Sequence, residues 1–103
     1  MRIIVLMTAA NNAQARRIAE GLVKSRLAAC VNIVKDVRSI FVWQGKVNRQ
    51  PEVILMAKST KARFKAIVKL VKSLHSYQVP EIIALPVIDG SKDYLRWIDE
   101  SVG

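Results

Sequence analysis

The chain has 103 residues, with seventeen Lys plus Arg against eight Asp plus Glu, a formal charge of +9, and 51% hydrophobic residues. That length suits a single domain over residues 1–103, and that apolar content argues against intrinsic disorder. The longest apolar run, Ile3 to Ala10, is eight residues, far short of the roughly 20 that a membrane-spanning helix needs.

Residues 2–8, RIIVLMT, read as a strand buried on both faces, because the run is branched, apolar and unbroken. Asn11-Asn12 supplies a helix cap, and Ala15, Ile18, Ala19 and Leu22 recur at helical spacing over about 12–26. From Ala29 to Ser59 the period becomes two. Val31, Ile33, Val37, Phe41 and Trp43 share one parity, while Asn32, Asp36 and Arg38 share the other. Gln44-Gly45-Lys46 marks a hairpin turn, and Val53 to Lys58 form the return strand, with Pro51 confined to an edge or bulge.

Thr60 is the expected cap of a second helix, whose stripe is Phe64, Ile67, Val68, Val71 and Leu74. Lys61, Lys65, Lys69 and Lys72 form a basic surface on its other side. Pro80 bars continuation beyond about His75. Ile82 to Ile88 read as a last strand, and Tyr94, Leu95, Ile98 and Val102 as a short terminal helix capped by Ser91. The order β-α-β-β-α-β plus a helix predicts an α+β, ferredoxin-like sandwich, with its helices on one face of an antiparallel sheet. The long hairpin exposes Phe41, Trp43 and free strand edges, so the pattern itself calls for a homo-oligomer.

The apolar start of the chain runs into Asn11-Asn12 rather than a cleavage-type site, so the expectation is a cytoplasmic protein without a signal peptide or membrane span. The lone Cys30 excludes a disulfide within the chain. The positive charge suits a polyanion partner, but Phe41, Trp43, Phe64, Tyr77, Tyr94 and Trp97 do not interleave with the basic residues, which sets nucleic acid aside. There is no Ser-His-Asp set, Gly-rich phosphate loop or His/Cys cluster at ligand spacing, so no enzyme is expected.

His75, the only histidine, is either a metal ligand or a polar cap at a helix end. Cys30 is either a small core hydrophobe or a soft metal ligand. Glu81 is the sole acid between Glu52 and Asp89, and Lys58 is its candidate partner. The lysine stripe is a solvated face or a surface for an anion or an acidic partner.

The run Arg26-Leu27-Ala28-Ala29-Cys30-Val31-Asn32, then Trp43-Gln44-Gly45-Lys46, Glu52 and Lys58, resembles the CutA family of divalent-cation-tolerance proteins. The segment from Leu74 to Pro86, LHSYQVPEIIALP, carries the resemblance furthest, with Gly90 and Tyr94-Leu95-Arg96-Trp97-Ile98 behind it. The resemblance implies a ferredoxin-like homotrimer with hairpins paired between subunits, and a PII-like architecture. It also implies metal tolerance, with copper the metal most often associated; no cofactor is required, and copper or another divalent cation is the candidate ligand. Proposed copper ligands of the family include a thiol where Met7 stands and a second imidazole where Leu74 stands. Of that set His75 remains, with Met7 as a soft thioether, and Cu(I) accepts thioether as well as imidazole. With Cys30, a soft-ligand candidate on its own chemistry, the metal candidates are His75, Cys30 and Met7. Trp43, Lys58, Tyr77, Glu81 and Trp97 are implied to line an intersubunit cleft. A PII-like trimer that recognises a small anionic ligand or a partner protein at such clefts is the alternative to metal binding.

Overall fold

A computed structural model describes residues 1–103. Strand β1 spans Arg2–Ala9, α1 Asn12–Lys24, β2 Cys30–Trp43 and β3 Lys46–Thr60. A 3₁₀ turn, Lys61–Arg63, leads into α2, Phe64–Leu74, followed by β4, Ile82–Pro86, and α3, Lys92–Val102. The four strands form one antiparallel sheet in the order β2-β3-β1-β4. This is the ferredoxin-like arrangement that the element order predicts.

Local chemistry accounts for the boundaries. Asn11 caps α1, its side chain accepting the Gln14 N–H at 2.8 Å, which satisfies one of the orphan donors of the first turn. The helix ends at Lys24, two residues before the expected limit, where Arg26 adopts φ 59°. Gln44 and Gly45 both take positive φ, 50° and 78°, and Trp43 pairs directly with Lys46, so the hairpin closes through a two-residue turn. The expected caps Thr60 and Ser91 accept no backbone N–H through their side chains. Between Thr60 and α2 the 3₁₀ turn intervenes, so the cap residue and the helix start are out of step. The last strand stops at Pro86 rather than Ile88.

The main core lies between the sheet and the α1–α2 layer. Ile3, Val5, Met7 and Ala9 of β1 and Val53, Leu55 and Ala57 of β3 meet Ile18, Leu22, Ile67 and Val71, all buried. Burial of a large aliphatic side chain stabilises by about 1.5–3 kcal/mol, so this layer supplies most of the hydrophobic drive. Gly21 lies where the helices touch; a Cβ there would sit 3.5 Å from both Leu70 and Leu74.

Two expectations need correction. The helices do not all occupy one face. Alternation along β1 turns Arg2 away from the Ile3 face, and Arg2 donates to Asp99 of α3 from Nε at 3.0 Å. Helix α3 therefore covers part of the opposite face, where its own Ile98 and Val102 are buried. That leaves the even residues of β1, such as Ile4 and Leu6, half-buried rather than sealed on both sides.

The second correction concerns the parity of β2. The register with β3 shifts between Val34 and Val37, so Lys35 and Asp36 together oppose Val53, and Asp36 takes φ 59°. One extra residue inverts every side chain beyond it. Val37, Phe41 and Trp43 consequently lie on the face opposite Val31 and Ile33. Pro51 sits beside this bulge, in the part of β3 that β1 does not reach, as its missing donor demands.

Candidate functional site

The segment between α2 and β4 folds across the end of β1. The His75 ring donates from Nε2 to the Thr8 carbonyl at 2.7 Å, while Nδ1 accepts the Tyr77 N–H at 3.0 Å. This pair of bonds requires the proton on Nε2 and commits both ring nitrogens to backbone. The His75 and Tyr77 rings stand 4.7 Å apart. The Tyr77 hydroxyl then donates to Oε2 of Glu52 at 2.8 Å. Its removal from water, followed by the bond to Glu52 and that carboxylate's charge, pushes the phenol up to about 12.

Above this chain of contacts opens a surface cleft of about 320 Å³, lined by Phe41, Trp43, Gln50 and the segment Ser76–Val79. The bulge at Asp36 brings Phe41 and Trp43 to this side, since without it both would face the other way. Two of the expected cleft residues, Trp43 and Tyr77, thus share a wall.

The other members are elsewhere in the protomer. Lys58 lies six residues beyond Glu52 on β3, about 20 Å along a strand. Its Nζ hydrogen-bonds the Asn32 side chain and stands 3.9 Å from Cys30 Sγ. Tyr94 of α3 stands near Cys30. Its phenol is raised first by desolvation and next by the neighbouring Cys30 thiol. Trp97 stacks near Tyr94 with ring centres 5.4 Å apart. Glu81 is exposed and makes no ion pair with Lys58 within the chain; the two salt bridges are Arg2–Asp99 and Lys24–Glu20.

Nor do the three candidate metal ligands meet within one protomer. Met7 is fully buried in the α1–α2 core, Cys30 lies on the opposite face beside Lys58, and both nitrogens of His75 are engaged. No three His, Cys, Asp or Glu side chains converge as a ligand group. These residues do not fit a first-row metal shell as one chain arranges them. Lys61, Lys65, Lys69 and Lys72 are all exposed, as their spacing predicts.

Asn32, Gln50 and the role of Glu52 as the acceptor for Tyr77 escape a reading of the sequence alone. Glu52 carried one usable signal: an acid beside Pro51 in an otherwise apolar return strand. Pairing it with Tyr77 needs the tertiary path of the 75–81 segment, which no periodicity encodes.

Comparison with known proteins follows the same lines. Residues 3–101 match the family described as CutA1 divalent ion tolerance protein. The divalent-cation tolerance protein CutA of Thermus thermophilus is 47% identical over 100% of both chains, and a solved structure of the Thermus thermophilus protein superposes with a TM-score of 0.98. The structure of a periplasmic divalent cation tolerance protein CutA from Archaeoglobus fulgidus has a TM-score of 0.97 at 39% identity, with 100% of both chains covered. A CutA homologue of Xenopus laevis is 41% identical over 93% of this chain and 64% of its own length, so this chain spans just under two thirds of that relative.

Proposed function

The chain belongs to the CutA1 divalent ion tolerance protein family, and on that premise we propose that it is a non-catalytic homotrimer that binds divalent metal ions or responds to them, copper foremost. The match along residues 3–101 is the observation that carries the metal reading. Self-association rests on exposed apolar side chains at the hairpin, Ile40, Phe41, Val42, Trp43 and Val47, which water leaves uncompensated in a lone protomer.

The use of His75 supports the non-catalytic reading. A general base needs a free lone pair within reach of a substrate proton. Both ring nitrogens of His75 instead hold backbone, so the imidazole fixes the 75–81 segment rather than moving protons. For the same reason metal contact at His75 costs one of these hydrogen bonds, and further ligands come from a neighbouring subunit. Affinity is accordingly modest. The cytoplasm is the proposed compartment, on the polar Asn11-Asn12 pair that follows the first apolar run where a signal peptide would carry a cleavage-type site; cell fractionation tests it against the periplasm.

Equilibrium dialysis of the wild type and His75→Ala against Cu²⁺, Cu(I) and Zn²⁺ tests the metal reading. Uptake by the wild type that falls in the variant supports it, and equal, negligible uptake by both removes it. A second reading, a PII-like trimer binding a small anion at intersubunit clefts, draws on Lys58. Its ammonium meets Asn32 and Cys30 rather than a carboxylate, so its charge is uncompensated within the protomer. A thermal-shift screen of nucleotides and organic anions tests that reading, with stabilisation by none of them counting against it.

A further inference from the structure

Charge is unevenly divided between the two sides of the sheet. The α1 helix, the 3₁₀ turn and α2 carry eight Lys and Arg side chains and a single acid, Glu20. Helix α3, across the sheet, carries Lys92 and Arg96 against Asp93, Asp99 and Glu100. The excess positive charge is thus concentrated on the outer face of the α1–α2 layer.

That face is ordered. Lys65, Lys69 and Lys72 fall within one arc of α2, in steps of about 6 and 4.5 Å along its axis; Lys61 precedes them in the 3₁₀ turn, and all four are exposed. Arg16, Arg17 and Lys24 are exposed on α1, which touches α2 at Gly21. Arg17 and Lys24, seven residues apart, share one side of α1, so a second, sparser set of cations adjoins the lysine row. Only Lys24 has an acidic neighbour, Glu20 at 3.8 Å.

We propose that this face docks the phosphate backbone of a nucleic-acid duplex, without reading its bases. A row of exposed lysines with further cations beside it complements the dense charge of a duplex, one phosphate per about 1.7 Å of its axis. A single strand is a poorer fit, because it calls for aromatic platforms; Phe41, Trp43, Tyr94 and Trp97 all lie off this layer. A protein partner calls for an apolar or aromatic anchor at the centre of the patch, and a membrane calls for an apolar wedge beside the charges. The lysine row exposes neither a large aliphatic nor an aromatic side chain: Ile67 and Val71 are buried, Phe64, Val68 and Leu70 are half-buried, and Val23 on α1 is the one large apolar residue exposed on these two helices. Interleaved aromatics serve strands with unstacked bases, and a duplex does not call for them.

The test is fluorescence anisotropy with a labelled 30-base-pair DNA of mixed sequence, titrated between 50 and 200 mM salt. About four phosphate contacts per protomer give a slope of log affinity against log salt of roughly −3 to −4. The pair Lys65→Glu and Lys69→Glu is expected to weaken binding at least about tenfold and flatten that slope. Lys65→Gln with Lys69→Gln shows a smaller loss of the same kind. The pair Lys92→Glu and Arg96→Glu changes net charge equally on α3 and leaves affinity within about twofold if location, not total charge, governs binding. Equal loss from both acidic pairs overturns the proposal, as does no binding at 50 mM salt. Tighter binding to single-stranded DNA, to phosphatidylserine vesicles or to polyglutamate at matched salt also overturns it, assigning the face to another partner.

Discussion

The hydroxyl of Tyr77 donates a 2.8 Å hydrogen bond to the carboxylate of Glu52, a buried acid in the middle of β3. This bond fastens the segment after α2 to the hairpin and sets one wall of the cleft. A buried carboxylate deprived of a donor keeps its desolvation cost without compensation. Tyr77→Phe is therefore expected to destabilise the protein by about 1–3 kcal/mol in urea unfolding. A midpoint unchanged from wild type would mean that water replaces the hydroxyl without loss.

The same bond has a pH signature. The folded state holds the Tyr77 phenol at about 12, above its ordinary value of 10.0. A group raised on folding contributes fully below its unfolded value and loses that contribution as pH rises through the folded one. The stability gap between wild type and Tyr77→Phe should be constant up to about pH 10 and shrink toward pH 12. Thermal melts of both proteins across that range check it.

Arg2 and Asp99 predict the opposite limb. The Arg2 guanidinium, by its hydrogen bond first and its charge after, holds the Asp99 carboxyl below its ordinary value of 3.8. A carboxylate lowered on folding contributes above its unfolded value and loses that contribution as pH falls. The difference in melting temperature between wild type and Asp99→Asn should thus be present at neutral pH and vanish on acidification below pH 3.8. A difference that persists unchanged at pH 2 would contradict the ion pair.

Much of the fold is legible in the sequence because burial imposes period. The α2 stripe, the buried run of β1 and the Gln44-Gly45 turn all announce themselves, since each depends on residues close in the chain. Two features do not. The bulge at Asp36 is one residue in an alternating strand, and nothing local distinguishes a polar residue at φ 59° from a polar residue facing water. The position of α3 is set by burial of Ile98 and Val102 and by the Arg2–Asp99 pair, whose members are 97 residues apart. The site follows the same division. His75 and Tyr77 stand out by type and spacing, whereas Thr8, Asn32 and Glu52 are recruited by tertiary contact, and Lys58 and Glu81 remain apart within one protomer.

The bulge carries its own prediction. Asp36→Val places a β-branched residue in the left-handed region and should cost about 1–2 kcal/mol, while Asp36→Gly should be neutral or slightly stabilising. Deleting Asp36 restores simple alternation and turns Phe41 and Trp43 toward the α1–α2 side. Circular dichroism should then report a folded chain, and sedimentation velocity should report weakened self-association. An assembly unaltered by the deletion would show that the face of the hairpin is immaterial.

Met7 separates packing from metal contact. It is fully buried, so Met7→Ala should cost about 2–5 kcal/mol, whereas Met7→Leu, close in volume, should cost less than about 1.5 kcal/mol. Metal uptake by Met7→Leu should equal that of the wild type. A selective loss of Cu(I) uptake in this variant would instead make the thioether a ligand.

Native mass spectrometry of the purified protein, with and without copper, tests the central claim most directly, because it reports subunit number and bound metal in one spectrum. The account predicts a complex of three chains that takes up copper, and a His75→Ala complex of three chains that takes up less. A monomer at micromolar concentration, or equal copper loading in both proteins, would contradict it.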